Sequence, residues 1–259
     1  MALHGTGAAR SGLFAVLLFL AAGSGRAQTT AASSAPLEAM PPDLETALAL
    51  SALPPDLRAH AAVYRLDPAR GYTPARPGSN GFTCIVERTE WNRAEFRNDI
   101  YTPLCYDAEG TRHQLKVWLD VAELRAGGRG PSEVKAEIER RFTSHRYTPP
   151  SRAGLAYMVA PVMRTYPSPD PADTMVMTMS MPHLMYYAPN LSPQDVGATR
   201  PPSPYPFILE QGPHGYMIQL VGSTESAAIR ANEQKLMTSL CAYRKFLCLG
   251  SSPGSEPPS

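Results

Sequence analysis

Proline constrains this chain more than any other residue. It fixes φ, removes a backbone donor, breaks helices from within and is kept out of central strands. The 27 prolines among 259 residues therefore decide where regular structure can run. They argue against long elements in the middle of the chain and assign helices to the stretches that lack them. Pro41-Pro42-Asp43 opens one such helix, with Leu44, Ala47, Leu48 and Leu53 roughly on one face before Pro54-Pro55 ends it. A second starts near Pro131-Ser132 and runs to about Ser144, with Val134, Ile138 and Phe142 four apart against charged neighbours. A third begins at Ser223-Thr224, has Glu225 in its first turn, and carries Ile229, Leu236, Leu240, Tyr243 and Leu247 at helical spacing.

Strand patterns fill the intervals. Residues 62–66, 72–76 and 82–87, separated by Asp67-Pro68-Ala69-Arg70-Gly71 and Gly78-Ser79-Asn80-Gly81, read as an antiparallel meander. Residues 104–106, the turn Asp107-Ala108-Glu109-Gly110 and residues 112–117 read as a further hairpin. Later strand candidates are 155–159, 174–181, 184–187, 206–209 and 216–221. Strands mixed with peripheral helices, without βαβ alternation, predict an α+β fold built on antiparallel sheet.

The N-terminus has the form of a secretory leader: Arg10, an apolar run from Leu13 to Ala22, and small residues at Gly25 and Ala27, with cleavage expected after Ala27. The apolar run is far short of the roughly 20 residues a spanning helix needs, and no later stretch approaches that length. No transmembrane segment is expected in the mature chain. No cysteine follows the run and no arginine pair precedes it, which points to ordinary export into the periplasm or medium. Residues 28–41 and 250–259 are polar or proline-rich without periodicity and are expected to be disordered, leaving residues 42–249 as one α+β domain. The leader removes Arg10 and Arg26 from 24 basic residues set against 23 acidic ones. A charge so near zero supplies no field for nucleic acid.

Four cysteines, Cys84, Cys105, Cys241 and Cys248, remain in a chain bound for an oxidising space, so disulfides are expected. Of three possible pairings, the local one joins Cys84 to Cys105 and Cys241 to Cys248. The second bridge carries a condition. Seven residues of unbroken helix would hold the Cα atoms about 10 Å apart, beyond the roughly 7 Å limit for a disulfide, so the helix has to end or turn between them.

Positions 175, 177, 179, 181, 183 and 185 read Met, Met, Met, Met, His, Met. On one strand these side chains share a face, giving five thioethers and an imidazole. Soft sulfur donors beside an imidazole suit copper(I). The local ligand set is Met179, Met181, His183 and Met185, with Pro182 bending the strand and His214 approaching from a neighbour. The alternative is a methionine-filled core with His183 buried in it.

Other chemistry is less sharply drawn. The chain lacks the nucleophile elbow, zinc-protease helix and P-loop motifs. A hydrolase would have to use His183 or His214 as general base with Asp170, Asp173 or Asp195. A binding protein would use Tyr186, Tyr187, Tyr205, Tyr216, Trp91 and Trp118 to line a groove for a ligand or envelope partner.

Gly78-Ser79-Asn80-Gly81-Phe82 and Gly212-Pro213-His214-Gly215-Tyr216 both read Gly-x-x-Gly-aromatic, a shared turn in which glycine at both ends permits positive φ. GSNGFTC (78–84), GLAYM (154–158), MPHLMYYAPN (181–190), YPFI (205–208) and GPHGYMI (212–218), in that order, resemble a family of exported bacterial proteins without assigned function. The resemblance implies a bacterial exported protein and transfers no catalytic residue or ligand. The residues taken together favour a disulfide-bonded exported protein that binds rather than catalyses, with copper(I) binding and His-based hydrolysis as alternatives.

Overall fold

The computed structural model describes residues 35–250 apart from 169, 171 and 198–204. The expected leader (1–27), residues 28–34 and residues 251–259 lie outside the described residues. Pro42 sits in the first turn of α1 (Pro42–Ser51), where its missing N–H leaves no gap, and Pro55 does the same for the one-turn α2 (Pro55–Arg58). Next come β1 (Ala62–Asp67), β2 (Gly71–Arg76), β3 (Thr83–Glu87), β4 (Thr102–Tyr106), α3 (Ala108–His113), α4 (Leu115–Ala126) and α5 (Pro131–Thr143). The second half holds β5 (Leu155–Met158), β6 (Met163–Thr165), β7 (Met177–Met179), β8 (His183–Tyr187), β9 (Phe207–Glu210), β10 (Tyr216–Leu220), α6 (Ser223–Asn232) and α7 (Gln234–Tyr243).

Eight strands form one sheet in the order β2-β1-β3-β4-β5-β8-β10-β9, and β6 pairs with β7 separately. All neighbours in the large sheet are antiparallel except β1 and β3, and the helices are peripheral, so the fold is α+β. The expected meander is therefore wrong in its third strand. After β2 the turn at 78–81 folds back under the start of β1: Ser79 and Asn80 donate to the His60 carbonyl, and Asn80 Nδ2 donates to the Leu57 carbonyl at 2.7 Å. The chain thus enters β3 on the other side of β1, pairing Ala62 with Thr83 and Val63 with Cys84 in parallel.

The expected hairpin at 104–117 is also overturned. Asp107 is a helix cap rather than a turn residue: its Oδ1 accepts from Gly110 N at 2.8 Å, and α3 and α4 follow. An Asp ahead of Gly marks both a turn and an N-cap, and the period of 3–4 from Leu115 to Arg125 decides for helix.

Two of the three core clusters lie on opposite faces of the sheet. One takes Cys84, Val86, Cys105 and Val63 from the strands with Leu48 of α1 and Leu240 of α7. The other takes Ile85, Leu104, Tyr106, Ala156 and Met158 with Leu115 of α4. Cross-strand pairing puts Cys84 directly opposite Cys105, and these two are bridged. Cys241 and Cys248 are bridged as well, with Cα atoms 4.5 Å apart. The required break is present: α7 stops at Tyr243 and a 3-10 turn, Lys245–Leu247, brings the chain back.

Each Gly-x-x-Gly turn uses its two glycines differently. Gly81 and Gly212 have positive φ, +81° and +99°. Gly78 and Gly215 are instead points of close backbone approach. A Cβ on Gly78 would lie 2.2 Å from the Ala62 amide nitrogen. Backbone cannot yield as a side-chain tip can, so Gly78→Ala is expected to cost about 3 kcal/mol in urea unfolding; a loss below about 1 kcal/mol would contradict the packing.

Residues 35–41, expected to belong to a disordered linker, are tied to the domain. Arg125 Nη2 donates to the Ala35 carbonyl at 2.7 Å, Asn98 Nδ2 to Pro36 at 2.6 Å and Arg88 Nη1 to Glu38 at 3.2 Å. Met40 is buried in the first core. These contacts at 35–38 show no side-chain pattern because the acceptors are main-chain carbonyls, which any sequence supplies.

Candidate functional site

The methionine stripe is not one strand. Ser180, Met181 and Pro182 leave regular structure, and the stripe divides between β7 in the small sheet and β8 in the large one. Val221 N donates to the Pro182 carbonyl at 2.9 Å and holds that break in place. The expected strand over 174–181 shrinks to Met177–Met179, and Met175 stands outside it.

The tertiary fold nevertheless regathers most of the stripe. In β8, His183 lies opposite Met158 of β5 and Leu220 of β10, while Met185 lies opposite Ala156 and Ile218. His183 and Met185 thus share the sheet face that carries the second core. Met179, opposite Met163 of β6, packs on that core, as do Met181 and Met185. Met158 and Met163, buried members of the same core, are thioethers that the sequence pattern missed; their distance along the chain hid them, although Met158 closes the GLAYM motif.

His183 is 2% exposed. Its Nδ1 lies 2.7 Å from the Met181 carbonyl. Burial lowers its pKa, opposed by that hydrogen bond, so the ring is neutral at physiological pH. A carbonyl only accepts, so Nδ1 carries the proton and Nε2 keeps its lone pair. Nε2 has no hydrogen-bond partner among the described residues. An imidazole whose Nδ1–H is held by a carbonyl is oriented as a metal ligand is.

His214 does not join this group. Its ring packs edge-on against Phe142 at 4.9 Å, and Phe142 in turn meets Tyr147 at 4.8 Å, in the neighbourhood of the third core between α4 and α5. Burial lowers its pKa also, and its Nδ1 is buried without a partner among the described residues.

The carboxylates considered for hydrolysis are engaged within their own loops. Asp170 accepts from Ala172 N, Asp173 from Met175 N, and Asp195 from Ser192 N and Oγ. Among the described residues none of the three is bonded to His183 or His214.

The aromatic groove is dispersed as well. Trp118 Nε1 donates to Tyr106 Oη at 2.6 Å, Tyr187 Oη donates to Asp107 Oδ1 at 3.1 Å, and Trp91 stacks on Phe142. Tyr216 is buried and Tyr205 is 74% exposed. Trp118 of α4 meets Tyr72, Glu87 and Arg88 at a shallow crevice against the sheet that holds no cavity for a small molecule. Glu87 Oε1 is buried there without a partner among the described residues, and burial together with the nearby Glu90 pushes the carboxyl well above its usual range.

Among the described residues no group of three or more His, Cys, Asp or Glu side chains is placed to hold a metal ion. No family model matches the chain, and no curated protein or solved structure is significantly similar to it. No helix among the described residues is long and apolar enough to cross a membrane.

Proposed function

We propose that this is an exported bacterial protein, braced by two disulfides, that binds rather than catalyses, and that its ligand is copper(I). The observation that carries the ligand is His183: a neutral imidazole, oriented by the Met181 carbonyl, with an unengaged Nε2 on a sheet face lined by thioethers. Thioether sulfur and imidazole nitrogen are soft, uncharged donors, matched to copper(I) and poorly matched to calcium or magnesium. The ligand set is His183 with Met158, Met181 and Met185, and Met163 and Met179 pack at the same core. All four cysteines are paired, which supports maturation in an oxidising compartment and leaves no thiolate to compete for the metal.

The test is titration of the mature protein with copper(I) against a chromophoric chelator. The parent competes at micromolar copper, and His183→Ala or Met185→Leu weakens the apparent affinity about tenfold or more. Because burial holds His183 below the ordinary imidazole range, affinity stays level as pH falls from about 7.5 to about 6.5, where an exposed histidine ligand would begin to lose the metal to protons. No competition by the parent, or unchanged affinity in both variants, eliminates copper(I) as the ligand.

A further inference from the structure

We infer that Met175 and Met177 form the loading port of this site, an inference that rests on the copper(I) reading of His183 and its methionines. Met175 is the one exposed methionine among the described residues, at 49%. From there the thioethers run inward in order of burial: Met177 and Met179 are half-buried on one face of β7, and Met163 and His183 lie buried beyond them.

Neighbours two apart on a strand are separated by about 6.6–6.8 Å, and each methionine side chain has three rotatable bonds beyond Cα. Successive sulfur atoms can therefore hold one ion between them. β7 pairs Met179 with Met163, so the row on β7 connects to the second core through that contact.

The outer end is held in position. Met175 N donates to Asp173 Oδ1 at 3.0 Å, and the Arg93 guanidinium donates to the carbonyls of Ser168 at 2.5 Å and Asp173 at 2.8 Å. An exposed thioether on an anchored backbone adds no core packing, yet it is the first sulfur an incoming ion would meet.

The step is ligand exchange without redox change. A small thiol- or thioether-ligated copper(I) donor meets Met175, the new Cu–S bond forms, the donor sulfur leaves with its electron pair, and the metal stays copper(I). The same exchange carries it from Met177 to Met179 and on to His183 Nε2.

Rapid mixing of the full mature chain with copper(I) held by a chromophoric chelator reads the transfer rate, and endpoint titration reads the affinity. Leucine keeps the volume and removes the sulfur. Met175→Leu combined with Met177→Leu is expected to slow transfer about tenfold while leaving endpoint affinity within about twofold. His183→Ala is expected to do the reverse, lowering affinity with the initial rate retained. An unchanged rate in the double leucine variant, with parent affinity intact, removes the port and leaves the site standing. Equal losses of rate and affinity would make Met175 and Met177 part of the site and overturn the port. Failure of the parent to take up copper(I) at all removes the site and the port together.

Discussion

Removing the Cys84–Cys105 bridge as Cys84→Ala with Cys105→Ala is expected to lower the unfolding free energy by about 3 kcal/mol, against about 2 kcal/mol for the Cys241–Cys248 pair. The difference follows from loop length: the first bridge closes a separation of 21 residues and the second one of 7. The first also sits inside the core, between directly opposed positions of β3 and β4 and beneath α1, where Cys105 Sγ lies 3.3 Å from the Ala49 carbonyl. Its loss therefore opens a gap at the centre of the sheet as well as loosening the unfolded chain. Urea unfolding should give a lower midpoint and a steeper slope for this double variant, because the unbridged chain exposes more surface. Equal losses for the two bridges, or less than about 1 kcal/mol for the first, would show that the loop argument does not govern here.

Glu45 is expected to take about 3 kcal/mol from the stability as pH rises from about 4.5 to about 8, a contribution that Glu45→Gln removes. Glu45, on α1, is buried and forms no ion pair among the described residues; its Oε1 accepts from Leu66 N at 2.8 Å. Burial lifts its pKa from 4.5 to about 7, opposed by that hydrogen bond and by the positive field of Arg88 and Arg65. The folded state thus holds this proton more tightly than the unfolded chain. The advantage is complete below about 4.5 and is lost as pH rises through about 7. Glu87 and Glu90 are shifted upward by burial and add to the same trend, while His183 and His214, shifted downward by burial, oppose it. Glu109 and Glu137, held down at about 2 by hydrogen bonds from Ser151 and from Arg140 and Arg141, act below that window. Glu45→Gln keeps an acceptor for Leu66 N and cannot ionise, so thermal melts from pH 5 to pH 8 should show a flatter slope than the parent. A Glu45→Gln variant with the parent slope would refute the assignment to Glu45.

Particular residues show how far the chain could be read in advance. Pro42 and Pro131 opened helices where expected, because a missing N–H is harmless only in a first turn, whereas Pro55, expected only to end the first helix, also opens the one-turn α2. The cysteine pairs followed from local spacing, and the demand for a break between Cys241 and Cys248 was met by the 3-10 turn at Lys245–Leu247. Asp107 misled because one residue type serves turns and caps alike. The candidate site was half legible. Alternation brought out Met179, Met181, His183 and Met185, while Met158 and Met163 entered through β5 and β6, and His214 was held elsewhere by Phe142.

Arginines account for much of what could not be read. Buried Arg88 and Arg125 and half-buried Arg93 reach Ala35, Glu38, the 97–100 loop, Ser168 and Asp173 through main-chain carbonyls. Each of those acceptors is present at every residue, so no side-chain pattern announces the contact.

Local geometry, set by φ restriction at proline and by short cysteine separations, made the starts of α1, α5 and α6, most strand segments, the α+β class and both bridges readable from the residues alone. Which strands became neighbours, the parallel turn of β3 beside β1, and the gathering of five thioethers from four strands and a bend at the second core depended on contacts between distant segments. Those contacts are selected by packing and burial, which a linear pattern does not encode.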